Sequence, residues 1–148
     1  MVAKYALDTN VFIDASRSPL ERERLTTFLR QHLSRVHLSA VVGMELLAGI
    51  SGTAQARALE EELLAPFRRR NRLFGPTAEA TLQAGRILAR AYPSSGEPPP
   101  RSFVNDVLIA LSCRERGISL ITRDRDFRRL IKFVPGLLIS EPFPGSGA

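Results

Sequence analysis

Apolar residues fall into short runs separated by stretches with three- and four-residue spacing, and the two patterns take turns along the chain. Tyr5, Ala6 and Leu7 make a run that predicts a short buried strand over 3–8. Leu25, Phe28, Leu29 and Leu33 recur at helical spacing and predict a helix over 21–33. "RVHLSA" (35–40) reads as a second strand that passes directly into a helix, with Gly49 as its stop. Thr53 is positioned to cap a helix over 54–65, which Pro66 should end. "RRRNRLFGP" (68–76) leaves room for a short basic strand, and Thr77 caps a helix to about Tyr92.

"PSSGEPPPR" (93–101) has the composition of a loop. Ser102 then opens a helix to Arg116, stopped by Gly117. "ISLIT" (118–122) is a third strand, a short helix follows near 125–131, and "GLLIS" (136–140) is a last strand. Strands alternating with helices predict an α/β fold: one domain of three layers, a parallel sheet of about five strands with helices on both faces. The domain is expected to span 1–140, with 141–148 as a flexible tail. In such sheets ligands bind beyond the carboxyl ends of the strands, where the strand order reverses.

That rule gives meaning to a set of acids. Asp8 stands at the carboxyl end of the first strand, and Asp124 and Asp126 follow "ISLIT". Glu45 shares a helix face with Val41, Val42, Ala48 and Gly49. Asp106 shares one with Phe103, Ile109, Ala110 and Cys113. A lone ionised carboxylate buried on such a face costs several kcal/mol. Each acid also has a plainer use. Glu45 at the edge of its stripe would reach water, Asp106 beside a Ser102 cap would complement the helix dipole, and Asp8, Asp124 or Asp126 would cap a helix. Together, however, Asp8, Glu45, Asp106 and Asp124 all lie within a turn or two of strand–helix junctions on one sheet edge. Carboxylates gathered there repel one another unless divalent cations neutralise them. Oxygen-only donors suit Mg²⁺ or Mn²⁺. The chain has no CxxC and no HExxH, and His32 and His37 read as solvated or core residues, so zinc is not expected.

Composition sharpens this. The net charge is +6 and 44% of the 148 residues are apolar. Lysine occurs only twice, so the cations are nearly all arginine, whose guanidinium forks suit phosphate. Such a charge favours an anionic partner: a nucleic acid, an acidic protein or a membrane surface. Arg68, Arg69, Arg70 and Arg72 form the densest run, a candidate for nucleic-acid (RNA) phosphates or else a solvated strand edge or protein interface. Cys113 is the sole cysteine, which fits a reducing cytoplasm. No apolar run long enough for a membrane helix and no signal-peptide pattern is seen, so a cytoplasmic protein is expected. An acidic metal site in a basic protein points to phosphodiester hydrolysis.

At these same residues the chain resembles the PIN-domain ribonucleases, most closely the VapC toxins of bacterial toxin–antitoxin pairs. "LDTNVFID", "SAVVGMELLAG", "NDVLIAL" and "LITRDRDF" carry the resemblance in order, with "RRRNRLFGPTAEATLQAGRIL" as its middle section. The resemblance implies that Asp8, Glu45, Asp106 and Asp124 hold one or two Mg²⁺ or Mn²⁺ ions and position the attacking water. Either acid of "DRD", Asp124 or Asp126, could fill the fourth place. Asn10 and Thr122 look like groups that orient the acids by hydrogen bonds. A homodimer and a VapB-like antitoxin whose tail covers the site are also implied. "PSSGEPPPR" departs from the family in length and proline content. Two other readings compete: a basic RNA-binding module without catalysis, and an aspartate-nucleophile phosphatase. The latter usually carries a second acid two residues after the first, where this chain has Asn10.

Overall fold

The structure is a computed structural model that describes residues 2–93, 96–141 and 143. Its centre is a five-stranded parallel sheet of β1 (Lys4–Leu7), β2 (Val36–Ser39), β3 (Leu73–Phe74), β4 (Ile118–Ile121) and β5 (Leu138–Ser140). The strand order is β3-β2-β1-β4-β5. The chain therefore builds outward from β1 on one side, then crosses back to add β4 and β5 on the other. The reversal lies between β1 and β4, where Leu7 pairs with Ile121. Ala6, Leu7, Leu120 and Ile121 are buried, as continuous apolar runs require in a sheet covered on both faces.

The helices flanking the sheet are α1 (Thr9–Arg17), α2 (Pro19–His32), α3 (Ala40–Ala48), α4 (Thr53–Leu59), α5 (Ala65–Arg69), α6 (Ala78–Ala91), α7 (Arg101–Arg116) and α8 (Asp126–Leu130). Helix α7 is the central one, with Val107, Ile109, Ala110, Leu111, Ser112 and Cys113 all buried. Gly117 ends it in the left-handed conformation (φ 64°), which a side chain would disfavour, and the chain turns at once into β4. The thiol of Cys113, pushed up to about 12 by burial and then by the charge of Asp8, stays an inert core group.

Three boundaries depart from expectation. Pro66 does not end its helix. A π-turn (Glu60–Leu64) joins α4 to α5, with the Ala65 amide bonded to the Glu60 carbonyl, five residues back. The widened turn relieves the clash a proline ring makes with the carbonyl four residues before it. Thr53 is the first helical residue rather than the cap, a position held by Gly52. Ser102 also lies inside its helix, which starts at Arg101 after Pro100 without a side-chain cap bond. Of the expected tail, Glu141 pairs with Arg128 at 3.3 Å and Phe143 is buried against Phe28, while 142 and 144–148 lie outside the described residues.

A candidate acidic site at the strand-order reversal

Among the described residues six polar or charged side chains are buried: Asp8, Thr9, Ser39, Asn105, Ser112 and Thr122. Ser112 satisfies itself on the Leu108 carbonyl one turn back. The other five gather at the carboxyl edge of the sheet. Burying polar groups is costly, so their concentration at one place calls for an explanation beyond folding.

Asp8 follows the last residue of β1. Its amide donates to the Ile121 carbonyl at 3.0 Å, which extends the β1–β4 ladder by one step and fixes the side chain at the reversal. Its Oδ1 accepts from the Thr9 amide at 2.7 Å, so Asp8 caps α1. Its Oδ2 accepts from Thr122 Oγ1 at 2.9 Å. Thr122 Oγ1 in turn accepts from the Asp124 amide at 2.9 Å. One hydroxyl thus ties the first acid to the loop carrying the fourth.

Glu45 reaches the same edge by a different route. Ser39 ends β2 and caps α3, accepting from the amides of Val41 and Val42. Strand and helix join without a loop, and Glu45 lies six residues on, about 9 Å along the helix. Thr9 Oγ1 donates to its Oε1 at 2.7 Å, and Asn105 Nδ2 to its Oε2 at 3.4 Å. The face expected for Glu45 is only partly apolar packing: Val41 and Val42 are buried, but Ala48 and Gly49 are exposed. Asp106 sits in the second turn of α7, past the first turn where the helix dipole would repay it. It is half-buried and makes no hydrogen bond among the described residues.

The electrostatics show that these acids sense one another. Burial first, then the charges of Asp8, Asp124, Glu45 and Asp126, push Asp106 up from 3.8 to about 8. Asp8 rises from 3.8 to about 6: burial and the charges of Asp124 and Glu45 outweigh the lowering by Thr122 and Thr9. Asp124 acts on both groups and is half-buried. Asp126 acts only on Asp106, as the last and weakest influence, and is exposed, with its amide capped by Asp124 Oδ1 at 2.8 Å. Among the described residues no three acid, histidine or cysteine side chains form a ready-made metal shell.

Not every expected residue joins the cluster. Asn10 is exposed and makes no hydrogen bond to an acid. Thr9 and Asn105 do the orienting instead. Their only signal in the sequence was adjacency to Asp8 and Asp106. The arginine run lies elsewhere. Arg68 and Arg69 end α5, Arg72 bonds the Leu33 carbonyl ahead of β2, and β3 starts only at Leu73. Arg72, just ahead of β3, thus lies at the amino edge of this parallel sheet, while Arg68 lines a groove with Met44 and Leu47 of α3.

A family model describing the PIN domain matches residues 5–132. The chain belongs to the PIN-domain family. PIN domains of VapC toxins are typically nucleases, and PIN domains generally use divalent metals. No curated protein matches the chain as a relative. Among solved structures, this PIN domain is similar to FitAcB from Neisseria gonorrhoeae, at 23% identity and TM-score 0.63, over 95% of this chain and 99% of that one. It is also similar to DNA-bound VapBC from Salmonella typhimurium, at 23% identity and TM-score 0.63, over 95% and 98%. VapBC-1 from nontypeable Haemophilus influenzae aligns at 22% identity and TM-score 0.62, over 93% and 96%. At these identities the likeness carries the fold. No helix among the described residues is long and apolar enough to cross a membrane.

Proposed function

We propose that this PIN domain is a metal-dependent endoribonuclease, the toxin of a toxin–antitoxin pair, and that it hydrolyses RNA phosphodiester bonds at Asp8, Glu45, Asp106 and Asp124. One observation carries the reading: Asp8, Asp124 and Glu45 gather around the half-buried carboxylate of Asp106, which burial and then their charges raise, and no hydrogen bond among the described residues compensates it. A protein retains such a group when a cation repays it. The donors are all carboxylate oxygens, a set that fits Mg²⁺ or Mn²⁺ and not zinc. Asp8, Glu45, Asp106 and Asp124 would hold the ion or ions, with Asp124 preferred to the exposed Asp126. Such an ion supplies charge neutralisation, Lewis-acid polarisation of a phosphoryl oxygen and activation of water.

The chain's own groups do the positioning. Thr122 aims Asp8 through Oδ2, leaving Oδ1 shared with the helix cap. Thr9 and Asn105 hold the two oxygens of Glu45. Asp106, whose carboxylate has no hydrogen-bond partner among the described residues, is the one left to turn toward a ligand or an attacking water.

The toxin role draws on the neighbouring folds, whose structures are VapBC and FitAB assemblies, some with DNA. In this reading an apolar segment of an antitoxin would lie in a groove of about 300 Å³ lined by Met44 and Leu47 of α3, Leu64 of the π-turn, Glu60 and Arg68. A homodimer and a cytoplasmic location belong to the same reading. The test is cleavage of a labelled RNA by the purified protein with Mn²⁺, with chelator, and with Mn²⁺ restored. Cleavage undiminished by excess chelator would sink the metal mechanism.

A further inference from the structure

Beside the acids, a cavity of about 610 Å³ opens on Arg24, Arg123, Arg125 and Arg128, with Ile139 as its apolar wall. It shares Thr122 and Asp124 with the acidic cluster, so whatever fills it lies alongside the carboxylates. The four guanidiniums are not equally available. Arg123 is held by Asp14 at 3.5 Å and by Glu21, and Glu21 also binds Arg24 at 3.0 Å. Arg128 pairs with Glu141 at 3.3 Å, but both side chains are largely in water, where such pairs are worth little. Arg125 makes no ion pair or hydrogen bond through its side chain among the described residues.

We propose that this pocket seats a backbone phosphate of the RNA strand, at a linkage neighbouring the one that is cut, with Arg125 as its anchor and Arg128 exchanging Glu141 for the phosphate. The proposal rests on the nuclease reading above. A strand entering the acidic cluster must carry its next charges past Asp124, and this is the cationic surface there. Guanidinium forks match phosphate oxygens two at a time. Among the described residues the lining holds no aromatic ring on which a base could stack, and its apolar member is Ile139. Contact here therefore fixes the register of the strand without reading its bases. None of Arg68, Arg69, Arg70 and Arg72 lines this pocket.

The test uses the full chain and a fluorescent single-stranded RNA of mixed sequence. Steady-state cleavage with Mn²⁺ is measured for the parent, Arg125→Gln and Arg125→Lys. Equilibrium anisotropy is measured on the non-cleaving Asp106→Asn protein with and without Arg125→Gln. Arg125 is exposed, so the fold should survive, which melting curves check. The expected result is a roughly tenfold or greater rise in KM and Kd for Arg125→Gln, the loss of a hydrogen bond to a charged group, with kcat nearly unchanged. The slope of log Kd against log salt should fall by about 0.7, one phosphate contact on a single strand. Arg125→Lys should recover part of both. A methylphosphonate placed at successive linkages should weaken binding at one position in the parent and not in Arg125→Gln.

Parent and Arg125→Gln with equal KM, Kd and salt slope would overturn the pocket and leave the nuclease reading standing. Arg125-dependent RNA binding without any cleavage would support the pocket and overturn the nuclease reading. Arg125-dependent binding of poly-glutamate, with RNA parameters indifferent to Arg125, would assign the pocket to an acidic peptide and overturn the proposal.

Discussion

Replacing Asp8 by Asn separates the two jobs this residue holds. Asp8 is 3% exposed, and its carboxyl rises from 3.8 to about 6. At about 1.4 kcal/mol per tenfold change in proton affinity, its ionisation costs the fold about 3 kcal/mol near pH 7 as an upper bound. The sign follows from the direction of the shift. The folded state holds the proton more tightly than the unfolded chain, so stability is greatest below about pH 4 and is lost as pH rises toward 6. Asn removes that cost. Its Oδ1 can still cap Thr9, because Asn caps about as well as Asp. Its Nδ2 would face Thr122 Oγ1, whose proton loses its acceptor, for about 1 kcal/mol. The net gain near pH 7 in chelator is therefore at most about 2 kcal/mol, roughly 4–8 °C in Tm for a chain of this size.

Near pH 4 the carboxyl is mostly protonated in the fold, and its cost shrinks to about 0.5 kcal/mol. The lost Thr122 bond then dominates, and Asn should be level with the parent or slightly worse. The assay is calorimetry of both proteins in chelator at the two pH values, paired with RNA cleavage in Mn²⁺, where Asp8→Asn should lose two or more orders of magnitude. An Asp8→Asn protein less stable than the parent by the same interval at both pH values would refute the electrostatic account. One that folds and cuts RNA at near the parent rate would end the reading of Asp8 as a metal ligand.

Mn²⁺ should stabilise the parent by mass action, about 2.7 kcal/mol at a hundredfold excess over its Kd, and calorimetry should find this gain lost in Asp106→Asn. The parent's Tm in chelator should fall as pH rises from about 4 to about 8, the interval over which Asp8 and Asp106 ionise, and saturating Mn²⁺ should flatten that fall. A Tm rising across the same interval would contradict it. Neutralising both Arg69 and Arg70 should leave KM for RNA within about twofold, because neither lines the pocket beside Asp124; a large rise would return the run to RNA binding. Thr9→Val should reduce cleavage more than stability, since it frees one oxygen of Glu45 at the cost of about 1 kcal/mol, and equal losses in kcat and folding would make Thr9 merely structural.

Hydrophobic period was enough to place β1, β2, β4 and α7, because each is either a short continuous apolar run or a long apolar helix. It failed where one residue's effect depends on its neighbours. Pro66 reads as a helix stop in any window, yet the π-turn ahead of it absorbs the clash, and nothing local in Glu60–Leu64 announces that. Ser102 and Thr53 looked like caps by residue type, but a cap is a backbone geometry, and Pro100 and Gly52 hold it. The acids were legible because a charge on an apolar face is anomalous in sequence alone. Their supports were not: threonine and asparagine beside an acid are unremarkable until the sheet brings residue 9 to residue 45 and residue 105 to residue 45.

The same distinction explains why charge density in sequence singles out one arginine cluster and misses another. Arg68, Arg69, Arg70 and Arg72 are neighbours along the chain, and a linear reading weights them together. Arg24, Arg125 and Arg128 come from α2 and from the β4–α8 segment, and no window contains all three. Only the reversal of strand order, which sets α1 and α2 beside the end of β4, assembles them next to Asp124. The topology that gathers the acids thus also gathers a set of arginines beside them.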